Sequence, residues 1–111
     1  MTETDPLSGD FNETAVAKIS QGAAGNTSVV TGVAGKKIYV TFASLTLDAT
    51  GTLKFLETAG DLTGTLNIAA NGGIVAGNGA QPILWTTTAG EDLQITTGTG
   101  KAQGWITFYT A

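Results

Sequence analysis

Three kinds of side chain in this sequence carry enough chemistry to suggest a site: carboxylates, lysines that follow glycine, and aromatics. Nine carboxylates accompany five lysines, with no arginine and a net charge of −4. Two carboxylates facing across a sugar would hydrolyse a glycoside, and a cluster of them would hold calcium. The closest pair, Glu91-Asp92, is adjacent. Neighbours on a strand point to opposite faces, so that pair cannot converge on one ligand. No Asp-x-Asp spacing occurs. These acids read as solvated turn charges.

The lysines fare no better. Gly35-Lys36 and Gly100-Lys101 are the candidates for phosphate loops. Such a loop needs a glycine five positions before its second glycine and a Ser or Thr after the lysine. Val30 and Ile95 stand at the first position, Lys37 and Ala102 at the second. Both read as turns. A Ser-x-x-Lys dyad is absent too.

The chain has no His and no Cys. The commonest general acid/base, disulfides, thiolate nucleophiles and zinc–thiolate sites are therefore excluded. The expectation is a protein that is not an enzyme and needs no cofactor. Without a basic face, nucleic acid and anionic membrane are not expected partners. No apolar run approaches the 18 residues of a spanning helix, and the acidic Met1–Asp10 does not read as a signal peptide. The glycosylation sequons at Asn12 and Asn26 are set aside with it.

The aromatics remain. Their placement depends on the strands that carry them. Gly and Thr together supply 36 of 111 residues, one suited to turns and the other to pleated surfaces. No window of 12 or more residues keeps a helical period. Strands are predicted at 15–21, 27–33, 36–47, 52–57, 62–70, 83–88, 92–97 and 101–109, with a short one at Ile74-Val75. In 36–47, Ile38, Val40 and Phe42 are expected on one face and Lys37, Tyr39 and Thr41 on the other. In 101–109, Ile106 and Phe108 oppose Gln103, Trp105, Thr107 and Tyr109. Turn signals every 8–12 residues indicate an all-β sandwich or barrel.

On this reading Tyr39, Thr41, Trp105, Thr107 and Tyr109 share one outward face. Three roles fit it: a sugar-stacking platform, a subunit interface, or a second buried face. Leu, Ile, Val and Phe number only 26, so the core is thin and the interface reading is preferred. Residues 1–13, with four acids and a proline, are expected to form an extended arm ahead of a single domain at 14–111.

From Gly35 onward the chain resembles a group of small phage virion proteins. The resembling stretches are GKKIYVTFASLTL, TLKFLE, GTLNIAANGG, QPILWTTTAGEDLQI and QGWITFY. The resemblance implies a compact antiparallel jelly roll of about eight short strands, assembled as a homotrimer. It implies a capsid decoration (cement) protein on the outer surface of the virion, with the major capsid protein as partner. The alternative it carries is a receptor-binding or fibre-tip knob that contacts host glycan. The family has no catalytic residues to transfer. Residues 1–34 have no counterpart in it. In the decoration reading, Leu7 and Phe11 of the arm are expected to contact the capsid.

Overall fold

The computed structural model describes residues 14–111. The arm at 1–13, with Leu7 and Phe11, lies outside the described residues. Ten strands run in the order β1 (Ala15–Ser20), β2 (Gly25–Val30), β3 (Ile38–Leu47), β4 (Gly51–Glu57), β5 (Gly60–Asp61), β6 (Leu66–Ile68), β7 (Gly73–Gly77), β8 (Leu84–Trp85), β9 (Leu93–Thr97) and β10 (Ala102–Thr110). No helix occurs among the described residues. The expected all-β class is correct. Three expected strands differ in extent: 62–70 pairs only over β6, 83–88 only over β8, and 27–33 is displaced to Gly25–Val30 as β2.

The strands form two antiparallel sheets. The first has the order β1-β10-β3-β7, with β8 also on β3; the second has β2-β9-β4-β5, with β6 also on β4. Successive strands β1 to β4 alternate between the sheets, as do β8, β9 and β10. The inward set of each strand therefore meets the other sheet's inward set. Ile38, Val40, Leu45, Leu47 and Ile106 from the first sheet join Leu53, Phe55, Leu93 and Ile95 from the second in one core. Period-2 alternation is the cause, because only a sheet places every second residue on one face.

One expected face assignment is corrected. Phe108 pairs with Val40 and Thr107 with Phe42, so Thr41 has no partner on β10. This β-bulge inserts one residue and shifts the phase of β3. Ile38 and Val40 point inward before it; Ala43, Leu45 and Leu47 point inward after it. Phe42 therefore leaves the core side and packs near Trp105, ring centroids 6.1 Å apart. The Thr41 hydroxyl stays with that of Thr107, 2.7 Å away. Thr41 is nevertheless covered, at 1% exposure, and lends the outer face almost no contact area.

Opposite Leu45, Gly104 adopts φ +143°, and a Cβ there would overlap the Ser44 carbonyl. Only glycine lets β10 approach β3 this closely.

Buried polar groups are few, and each ties distant segments together. Gln21 is 4% exposed. Its Nε2 donates to the Gly25 carbonyl and to Thr27 Oγ1, both at 2.9 Å. Its Oε1 accepts from Thr97 Oγ1 (3.1 Å) and from the Ala102 N–H (2.8 Å). One amide thus uses two donor and two acceptor positions to join the β1–β2 turn to a central strand of each sheet. Thr86, fully buried, accepts from the Ile38 N–H through Oγ1 and donates its own N–H to the Ile38 carbonyl.

Candidate functional site

Sheet register decides which aromatics meet. Tyr109 lies opposite Tyr39, and Tyr39 lies opposite Trp85. Tyr39 and Tyr109 stack with ring centroids 5.1 Å apart and planes 12° from parallel. The Trp85 ring sits 6.2 Å from Tyr39. A second pair, Trp105 with Phe42, occupies the same outer face further along β10 and β3. These offset and tilted contacts are the geometries that aromatic rings favour.

The face extends to both sheet edges. Val16 on β1 pairs with Thr107, and Val75 on β7 pairs with Ser44. Val16, Val75, Trp85 and Trp105 stand 64%, 74%, 47% and 45% exposed. Scattered surface hydrophobics are ordinary, but four large ones gathered with three further rings on one sheet face are not. Lys18, opposite Trp105, brings the one charged side chain to the paired positions of this face.

Of the residues expected here, Tyr39, Trp105, Thr107 and Tyr109 do share the face, and Thr41 lies beneath it. Trp85, Phe42, Val16 and Val75 were missed. Phe42 required the bulge to be known. Trp85 required the register of a two-residue strand. Val16 and Val75 had a readable signal, since both lie on strands already expected, Val16 alternating with Ala15 and Ala17 and Val75 following Ile74.

The described carboxylates serve as structural acceptors. Asp92 accepts from the Gly32 N–H (2.7 Å) and the Ser28 hydroxyl (3.0 Å). Glu91 accepts from the Ala59 N–H, and Asp48 from the Lys101 N–H. Asp61 pairs with Lys54 Nζ at 3.0 Å. Glu57 is the buried one, at 2% exposure. Its Oε1 accepts from the N–H and hydroxyl of Thr87, latching β4 to the segment after β8. Its Oε2 is buried without a well-formed hydrogen bond among the described residues. Burial alone would push this carboxyl up. The backbone and side-chain donors of Thr87 and Thr88 outweigh that and hold it below its ordinary value of 4.5.

The two Gly-Lys pairs sit in turns that consume their backbone groups. The Lys36 N–H donates to the Val33 carbonyl, and the Lys101 N–H to Asp48. No group of three or more metal-ligating side chains converges among the described residues. No helix there is long and apolar enough to cross a membrane.

The polar groups of these loops are thus engaged in bracing the fold. The outer face of the first sheet offers contact through flat apolar area. No protein-family model, curated protein or solved structure matches the chain.

Proposed function

We propose that the chain is a structural virion protein. It acts as a homotrimeric capsid decoration protein that binds the major capsid protein on the outer surface of the head. The observation that carries this reading is the outer face of the first sheet, with Tyr39, Trp105, Thr107 and Tyr109 joined by Phe42, Val16 and Val75. A small domain with a thin core gains from burying such a face against copies of itself. Tyr and Trp are the residues enriched where subunits meet. Strand order supports a jelly roll in particular. The orders β1-β10-β3-β7 and β2-β9-β4-β5 put the last two long strands in the middle of opposite sheets, as a doubly wound Greek key does. The phage assignment itself rests on the resemblance of residues 35–111.

Trimerisation covers the part of this face around Trp105 and leaves the Trp85 edge open, and attachment to the head falls to residues 1–13, with Leu7 and Phe11 as the apolar contacts. Light scattering at micromolar concentration should give three times the chain mass. Purified protein should bind stoichiometrically to heads stripped of their decoration. Removing residues 1–13 should leave the oligomer intact and weaken head binding at least tenfold, about 1.4 kcal/mol. A monomer in solution would refute the assembly. Absence of head binding by the full chain would refute the decoration role and favour the fibre-tip alternative.

A further inference from the structure

A recess opens on the flank of the domain, where the edge of one sheet comes beside the edge of the other. Asp61 of β5, Leu84 and Trp85 of β8, and Leu62, Ile83 and Thr87 beside them line it. Its volume is about 300 Å³. That is the lower end of the range for small-molecule sites, which combine an apolar lining with a few convergent polar groups.

The lining has a definite chemical character. The Trp85 indole is half exposed, and the Tyr39 ring packs beside it at 6.2 Å, limiting its freedom. The Asp61 carboxylate is steered by Lys54 Nζ at 3.0 Å. The Thr87 hydroxyl is oriented by Glu57 Oε1 at 3.2 Å. Leu62, Leu84 and Ile83 supply aliphatic surface between them.

These features narrow the ligand class. The ammonium of Lys54 is already paired, so no unbalanced positive charge draws a phosphate. No group of three or more metal-ligating side chains converges among the described residues, so the recess offers no metal cage. The volume suits a single small ring and is too small for a folded peptide. A ligand suited to this lining has an apolar face to lie on an indole and a rim of neutral hydroxyls for a carboxylate and a threonine. The geometry points to a subsite for one neutral pyranose ring. Its C–H face lies against Trp85, and its hydroxyls exchange hydrogen bonds with Asp61 and Thr87. The subsite depends neither on self-association nor on a role on the capsid.

The test uses the full ¹⁵N-labelled chain. Methyl glycosides of glucose, galactose, mannose and N-acetylglucosamine are titrated separately to about 50 mM, which covers dissociation constants in the millimolar range typical of weak binding. At least one glycoside should move the Trp85 indole N–H resonance and the amides of Asp61, Leu62 and Thr87. The Trp105 indole N–H serves as the internal reference and should stay in place. Trp85→Ala should abolish the response. Asp61→Asn, at an exposed position that need not disturb the fold, should weaken it several-fold with the rest of the spectrum unchanged. Silence of the Trp85 resonance with all four glycosides would overturn the assignment. So would equal movement of both indoles, or undiminished binding by Asp61→Asn. Failure to trimerise or to bind heads leaves each of these readouts in force.

Discussion

Replacing Gln21 with leucine tests how two sheets are joined at one buried amide. The leucine matches the glutamine closely in volume, so packing is nearly conserved and the hydrogen bonds are what is lost. Four are removed: to Gly25, Thr27, Thr97 and Ala102. The groups left behind differ in cost. The Thr97 hydroxyl still accepts from the Gly25 N–H at 3.1 Å, so it is not wholly orphaned. The Gly25 carbonyl and Thr27 hydroxyl are only part-buried and can recruit water. The Ala102 N–H cannot, because Ala102 is fully buried. A buried donor without a partner costs about 1–3 kcal/mol, and the other losses add about 1 kcal/mol together. The sum, about 2–4 kcal/mol, is a large share of the roughly 5–15 kcal/mol that stabilises a domain of this size. Thermal unfolding at fixed protein concentration should show a midpoint lowered by roughly 10–25 °C. Gln21→Glu sharpens the test. Its carboxylate can still accept from Ala102 and Thr97 but faces the Gly25 carbonyl in place of a donor. Burial and that carbonyl raise its folded-state pKa, so the penalty is greatest at neutral pH and shrinks as acid protonates the group. The gap between wild type and Gln21→Glu should therefore narrow at pH 4. A Gln21→Leu midpoint within about 2 °C of wild type, well under the shift expected for 1 kcal/mol, would refute the view that this amide joins the sheets.

Glu57 is held below its ordinary pKa in the folded state, so the unfolded chain binds its proton more tightly. Its contribution is fully present above the unfolded value near 4.5 and is lost as pH falls through the lower folded value. Wild type should therefore lose stability on acidification in urea titrations, and Glu57→Gln should flatten that slope. Gly104→Ala places a methyl group against the Ser44 carbonyl at φ +143°. It should cost at least about 2–3 kcal/mol and give a chain that is largely insoluble or unfolded by circular dichroism. Trp105→Ala separates assembly from folding. If the 45% of Trp105 still exposed in the single chain is covered on association, about 110 Å² of a ring worth up to about 250 Å² is at stake, or about 3 kcal/mol per subunit. Sedimentation should then show dissociation, while the far-ultraviolet spectrum keeps its strand signature.

The alternation of apolar residues was enough to identify most strands, and the turn glycines were enough to separate them. Ile106 and Phe108 opposite Trp105, Thr107 and Tyr109 is a local pattern, and a sheet has to obey it whatever its neighbours are. The absence of His and Cys likewise narrowed the chemistry before any geometry was known. Phe42 shows where that logic stops. Alternation placed it with Ile38 and Val40, but the bulge at Thr41 sends it to the side of Trp105. A bulge is a mismatch between two strands, and neither strand encodes it alone.

The same holds for the face and for the buried polar contacts. Trp85 joins Tyr39 because a two-residue strand happens to pair with β3 beyond the end of β7. Gln21 looks like a polar residue at a strand end, and its sequence neighbours give no sign that it is buried. Its key partner, Ala102, lies 81 positions away. Glu57 ends a strand like many surface glutamates, yet the segment that covers it is 30 residues on. Local propensity and periodicity act over a few residues, so they determined that this chain forms sheets and which side of most strands faces inward. Burial and hydrogen-bond satisfaction are settled between segments far apart in sequence. Only the tertiary structure could therefore decide which aromatics gather on one face and which polar side chains hold the two sheets together.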